Sequence, residues 1–298
     1  MTTPYTTLIQ AHELQALMAS GQALKVFDCS FDLMDPTAGP LLYAQAHIPG
    51  AAYMHLDDDL STSLSDPDRQ SGGRHPLPSR EGFAHTLTQA GLTHDMQVVV
   101  YDRQGCTYCG RLWWMLKWCG HEAVAVLDGG LPAWLAAGGE VATGQPSAVP
   151  QAASASTPPF NLQPSLVKLW NSAQVASHLN APDMTLIDAR ATARYRGDVE
   201  PLDPVAGHIP GAYNRPFADN FGSDGRFKSA AELRAAFDAL LEGQNPAQVV
   251  HHCGSGVTAT ANVLAMELAG LGRVGLFGGS WSEWCNTPGL PCASGPDR

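Results

Sequence analysis

His47-Ile48-Pro49-Gly50-Ala51 returns as His208-Ile209-Pro210-Gly211-Ala212, 161 residues further along the chain. Upstream of it, Val26-Phe27-Asp28-Cys29 matches Leu186-Ile187-Asp188-Ala189 at a spacing of 160. Downstream, Gly120, Gly129 and Trp134 match Gly270, Gly279 and Trp284 at a spacing of 150. So many matches in one order mark an internal repeat, two copies of one domain. The length of 298 residues fits about two domains of roughly 150 residues each. The spacing falls from 161 to 150, so the first copy carries about 11 extra residues, within the polar stretch between His55 and Pro76. Such a loop is either a harmless surface insertion or a segment that serves the partner copy's site.

Within each copy, apolar and β-branched runs alternate with helical patterns. Strands are expected at residues 24–28, 97–101 and 124–127 in the first copy, and at 185–188, 248–251 and 274–277 in the second. Helices are expected at 80–90, 111–119, 230–241 and 257–269. That alternation predicts an α/β fold, each copy a mostly parallel sheet flanked by helices. Residues 138–165 are rich in Gly, Ala, Ser, Pro and Gln without hydrophobic periodicity, which reads as an extended connection. The expected division is a first domain at 1–145, a linker at 146–164 and a second domain at 165–298.

Composition excludes several classes. Hydrophobic residues at 44% supply real cores, so a disordered chain is excluded. Acidic residues outnumber basic ones, 28 to 17, which argues against a nucleic-acid partner that must be met with a basic face. No run of 18 apolar residues occurs, so no membrane partner is expected. The polar start of the chain shows no signal peptide. Seven cysteines are too few and odd in number for a disulfide scaffold, which leads us to expect free thiols and a cytoplasmic location.

The stretch that carries chemistry is Val249-Val250-His251-His252-Cys253-Gly254-Ser255-Gly256-Val257-Thr258-Ala259. A buried strand ends, a Gly-Ser-Gly loop turns, and a helix begins. Glycines let consecutive N–H groups point inward, and the helix adds the positive end of its dipole. A cysteine at the mouth of such a nest has a stabilised thiolate and becomes a nucleophile; the plain alternative is a packed, inert thiol. Two chemistries use a cysteine so cradled. A cysteine phosphatase needs an Arg after five intervening residues to clamp the phosphoryl group, and Ala259 stands there. Sulfur transfer, in which the thiolate takes up a sulfur atom, needs no such clamp.

These residues resemble the tandem-domain rhodanese family, the thiosulfate and 3-mercaptopyruvate sulfurtransferases, over nearly the whole chain. The resemblance rests on the repeated His-Ile-Pro-Gly-Ala, on Asp188-Ala189-Arg190, on Cys253-Gly254-Ser255-Gly256-Val257-Thr258, and on Gly279-Ser280-Trp281-Ser282-Glu283-Trp284. The Cys-Gly-Ser-Gly-Val-Thr loop is similar to that of the mercaptopyruvate branch. The resemblance implies two rhodanese-like domains with the site in a cleft between them, and a non-catalytic first copy in which Arg103 stands in place of Cys253. It implies a Cys253 persulfide held by the N–H groups of Gly254, Ser255, Gly256, Val257 and Thr258, with no metal and no organic cofactor. It further implies a small-molecule sulfur donor, and cyanide, a small thiol or thioredoxin as acceptor. A thiosulfate-preferring enzyme, or a sulfur carrier without turnover, is the alternative.

The same resemblance assigns Arg194, before Tyr195, to the donor's carboxylate, and Asp57, His75 and Ser255 to a proton relay. The family's second substrate Arg is missing beside Gly207-His208-Ile209-Pro210; Arg196 and Arg215 are near it in sequence only. His47 and His208 read as structural, because the inactive copy has the same His. Cys106-Thr107-Tyr108-Cys109 could be a redox or zinc pair, but no second Cys pair exists at that spacing, and two unrelated thiols are expected. Trp113 and Trp114 read as core.

Overall fold

The computed structural model describes residues 3–145, 158–179 and 181–298. Most of the expected linker, 146–157, lies outside the described residues. The chain packs as two units. The first comprises Met1–Ser61, Ser79–Leu166 and Ser223–Arg226, and the second Thr62–Pro78, Val167–Gly222 and Phe227–Arg298. The extra segment of the first copy, through Thr62–Pro78, is therefore built into the second unit.

The first unit runs β1 (Leu8–Ile9), α1 (Ala11–Ala19), β2 (Leu24–Asp28), α2 (Ala38–Gln45), β3 (Ala52–Tyr53), α3 (Arg80–Gln89), β4 (Gln97–Tyr101), α4 (Cys109–Trp118), β5 (Val124–Leu127) and α5 (Gly130–Ala136). Its sheet is wholly parallel, in the order β1-β5-β4-β2-β3. Every residue of β4 is buried, which is why Gln97-Val98-Val99-Val100-Tyr101 shows no alternation: helices cover both faces. Trp113 and Trp114 are fully buried, as expected. Residues 158–166 run along this unit, with Phe160 buried and the amides of Gln163 and Leu166 bonded to the Cys119 and Lys117 carbonyls.

The second unit repeats the plan with β6 (Lys168–Trp170), α6 (Ser172–Ser177), β7 (Thr185–Asp188), α7 (Thr192–Arg196), β8 (Tyr213–Asn214), α8 (Ala230–Leu241), β9 (Val249–His252), α9 (Ala259–Leu268), β10 (Gly275–Phe277) and α10 (Ser280–Trp284). The order β6-β10-β9-β7-β8 reproduces the first sheet strand for strand. α8 opens on a Ser229–Glu232 capping box and buries Leu233, Phe237 and Leu241, one stripe at helical spacing. Burying Phe237 alone contributes roughly 2–3 kcal/mol. α9 is buried from Ala259 to Met266, which explains its apolar sequence on every side. It starts two residues later than its apolar pattern suggests, because the chain is still turning at Gly256, whose φ is +73°.

His47 and His208 do the same work in the two units. Each ring stacks on a tyrosine, Tyr43 or Tyr195, at 3.8 Å, and each Nδ1 lies 2.8 Å from that tyrosine's carbonyl oxygen. Both are structural. No helix among the described residues is long and apolar enough to cross a membrane.

Candidate active site

The site lies in the second unit, where β9 and β7 end side by side. Their register sets His252 opposite Asp188, and the Ala189 amide donates to the His252 carbonyl at 2.8 Å. Cys253 is the first residue past β9 and is buried with the loop around it. The turn behind it depends on Gly256, because a Cβ there would collide with the Gly278 carbonyl oxygen. The first turn of α10 holds the loop from outside. The amides of Trp281 and Ser282 donate to the carbonyls of Cys253 and Gly254 at 3.0 and 2.9 Å, and Ser280 Oγ accepts the Cys253 amide at 3.1 Å. Ser280 takes an unfavourable left-handed φ of +55° to do so.

Beside the loop sits a buried network of ions. The Arg190 guanidinium grips Asp188 with Nε at 3.0 and 3.1 Å and Nη2 at 2.6 Å, and reaches the Gly207 carbonyl at 2.6 Å. It lies over the Trp281 ring at 4.7 Å and is near enough to the Cys253 thiol to feel its charge. Burial alone would raise the Asp188 carboxyl, but the Arg190 cation beside it holds it below the usual range. Burial pushes the His252 imidazole down, more than Asp188 at 3.8 Å restores it, so His252 is neutral. Arg194 pairs with Glu200 through Nε at 3.3 Å and Nη2 at 2.6 Å, and with Asp203 at 3.2 Å.

The inserted segment brings two further groups. His75 Nδ1 and Ser255 Oγ are hydrogen-bonded at 2.7 Å, both residues buried. Arg74 forms an ion pair with Asp203. An ideal Cβ on Gly254 would lie 2.9 Å from Arg74 Nη2 and 3.5 Å from Arg194 Nη1, so both guanidinium groups border the residue next to Cys253.

The equivalent loop of the first unit shows what such a nest takes. Asp102, in the place of His252, folds its own carboxylate into it. Oδ1 accepts the amides of Gln104 and Cys106 at 2.9 and 3.0 Å, and Oδ2 those of Tyr108 and Cys109 at 2.8 and 3.0 Å. Arg103, in the place of Cys253, points its guanidinium at the carbonyls of Leu42 and Ala46 and lies 3.9 Å from Asp28. The first loop is thus an anion cradle already filled from within. Cys106 and Cys109 are buried free thiols in it, and burial, with Cys106 as neighbour, pushes the Cys109 thiol well up. Among the described residues no cluster of His, Cys, Asp or Glu could hold a metal.

Of the residues expected from sequence, Cys253, Ser255, His75 and Arg194 come together with Gly254, Gly256, Val257 and Thr258 in the second unit. Asp57 belongs to the first unit, half-buried in a turn after β3, where its amide bonds His55 Nδ1 at 3.2 Å. The two arginines near the Gly207-His208-Ile209-Pro210 motif in sequence are placed as follows. Arg196 is exposed, and Arg215 is buried against Phe237 and bonded to Asn220 at 2.6 Å. Arg74 and the carboxylates of Glu200 and Asp203 went unrecognised. The position of Arg74 directly before His75, within the first copy's extra segment, is the signal the sequence offers.

Residues 10–137 and 171–287 each match the Rhodanese-like domain family. The chain belongs to that family. A protein of Pseudomonas aeruginosa named "Probable 3-mercaptopyruvate sulfurtransferase" is 44% identical over 289 residues, 97% of this chain and 98% of its own. The Arabidopsis thaliana protein named "Thiosulfate/3-mercaptopyruvate sulfurtransferase 1, mitochondrial" is 37% identical, over 91% of this chain and 74% of its own. The solved structure of 3-mercaptopyruvate sulfurtransferase from Leishmania major is similar with a TM-score of 0.81 at 28% identity, covering 97% of this chain and 77% of that one.

Proposed function

We propose that this protein is a sulfurtransferase that moves a sulfur atom from 3-mercaptopyruvate through a Cys253 persulfide to a thiophilic acceptor. The observation that carries this reading is the contrast between the two loops. The first is occupied by the Asp102 carboxylate, whereas the second, of the same topology, holds the free Cys253 thiol. Cys253 thiolate attacks the donor's thiol sulfur, an S–S bond forms, the C–S bond breaks, and its electron pair leaves on the enolate of pyruvate. The enolate takes one proton from the Ser255–His75 pair, where His has the proton affinity for the task. The amides of residues 254–258 hold the persulfide, and Arg194 holds the donor's carboxylate. Asp57 is assigned to the relay on family resemblance. The acceptor, which is cyanide, a small thiol or reduced thioredoxin, attacks the outer sulfur and returns Cys253 as thiolate.

On this reading the copies span 1–145 and 165–298, and the second is catalytic. Seven free cysteines suit a reducing cytoplasm. Thiosulfate is the second donor to consider, with sulfite leaving, because the Arabidopsis relative carries both donors in its name. The experiment is a steady-state assay with each donor and an added thiol. An acceptor-dependent rate that disappears in Cys253→Ala supports the enzyme; a wild-type protein that binds sulfur once and never turns over would be a carrier.

A further inference from the structure

Cys106 is held against its backbone preference. Its φ is +85°, in the left-handed region that a side chain disfavours. The residue 150 positions further along, at the matching point of the reactive loop, is Gly256, with φ +73°. One turn of the same shape thus takes glycine in one copy and cysteine in the other. Ala259 matches Cys109 at the same spacing, so the second copy has neither thiol. A glycine at 106 would make the turn without strain. What the cysteine adds is its sulfur.

That sulfur meets Cys109. The two thiols are hydrogen-bonded, and Cys109 is the first residue of α4. Their amides donate to the two oxygens of one carboxylate, Cys106 to Asp102 Oδ1 and Cys109 to Asp102 Oδ2, each at 3.0 Å. Asp102 therefore fixes both residues at once, with their sulfurs already paired, which is the approach a disulfide needs. Both thiols are buried, but Gln104 is exposed and Thr107 and Tyr108 are half-buried, so the segment that carries them is at the surface. A local opening of that segment admits a small oxidant. Burial first, then the bond with Cys106 and the Asp102 charge, keep the Cys109 thiol protonated. Cys106 is the sulfur left to attack.

We propose that Cys106 and Cys109 form a dithiol–disulfide pair, a redox modification site of the first unit whose oxidant is a hydroperoxide. Cys106 sulfur attacks the peroxide, an S–O bond forms, the O–O bond breaks, and with hydrogen peroxide water leaves. Cys109 sulfur then displaces the hydroxyl from Cys106, an S–S bond forms, and the second water leaves with the Cys109 proton. The two sulfurs lose two electrons and the two peroxide oxygens gain them. A thiol reductant reverses the bond by two exchanges. This site goes beyond the sulfur transfer assigned to the second unit and does not depend on it.

The test treats the folded protein with hydrogen peroxide, blocks the remaining thiols with N-ethylmaleimide in denaturant, and maps the tryptic peptides. Cleavage after Arg103 and Arg111 leaves both cysteines in one peptide, residues 104–111. Before oxidation that peptide takes up two maleimides. Afterwards it is expected to take up none and to have lost two hydrogens, and dithiothreitol should restore both labels. In Cys109→Ala the bond cannot close, and Cys106 should carry oxygen instead. Should that variant fail to fold, Cys109→Ser reads the same. A peptide that still takes both labels at a peroxide dose that exhausts the exposed Cys292 would overturn the proposal. So would a disulfide from either thiol to the neighbouring Cys29, or oxygen on both sulfurs with no bond between them.

Discussion

His75 Nδ1 is hydrogen-bonded to Ser255 Oγ at 2.7 Å, joining two residues that are 180 positions apart in the chain. His75 comes from the first copy's extra segment and Ser255 from the second copy's loop, yet both belong to one packing unit. On the proposed function the pair delivers a proton beside Cys253. Ser255→Ala and His75→Asn should each lower kcat with 3-mercaptopyruvate by about 100-fold, the lower end of general acid catalysis. The thiosulfate rate should change much less, because sulfite leaves without needing carbon protonated. Parallel kcat measurements with both donors check this; equal losses would remove the proton relay from the account.

Arg194 carries a second expectation. Glu200 and Asp203 are almost wholly buried beside it, so Arg194→Ala leaves Glu200 with Arg190 alone and Asp203 with Arg74 alone, and costs about 1–3 kcal/mol. Arg194→Lys is the gentler probe. Losing the bidentate fork should reduce kcat/KM for 3-mercaptopyruvate about tenfold. A 3-mercaptopyruvate rate untouched by the change would show that Arg194 serves only the ion network.

Asp102 should be worth more to stability than a loop aspartate normally is. It is fully buried and accepts four amides. Asp102→Ala is expected to cost about 3 kcal/mol or more, and Asp102→Asn less, since one acceptor oxygen survives. Urea unfolding of the three proteins gives the order; an Ala variant as stable as wild type contradicts the filled-cradle picture.

Acid should weaken the second unit through its buried imidazoles. His251 is pushed down to about 3, first by burial and then by the neighbouring Arg215 and His252. In the unfolded chain an imidazole titrates near 6.5. The unfolded state therefore binds a proton that the folded state refuses. Stability is complete above about pH 6.5 and falls below it by up to about 1.4 kcal/mol per pH unit. His252 shifts in the same direction. Urea midpoints between pH 7.5 and 4.5 should fall less steeply in His251→Gln than in wild type; identical slopes would mean that His251 does not titrate as described.

The repeat made the doubled α/β fold readable because identical turns, such as His-Ile-Pro-Gly-Ala, recur where the chain must bend in the same way. Long buried strands such as Gln97–Tyr101 were also readable, since five consecutive buried positions leave a clear apolar run. The edge strands Leu8–Ile9, Ala52–Tyr53, Lys168–Trp170 and Tyr213–Asn214 were not, being two or three residues long, too short for a period to show. In the site, Cys253 and its glycines announced themselves through backbone demands local to the loop. Arg74, Glu200 and Asp203 did not, because their partners are set by tertiary approach: Asp203 meets Arg74 across 129 positions of sequence.

The central claim is that Cys253 accepts a sulfur atom. Intact-mass measurement of the protein after incubation with 3-mercaptopyruvate, and separately with thiosulfate, tests it most directly. One added sulfur is expected, mapped to Cys253, absent in Cys253→Ser and discharged by a thiol. An unmodified protein with both donors, or a sulfur mapped to another cysteine, would contradict it.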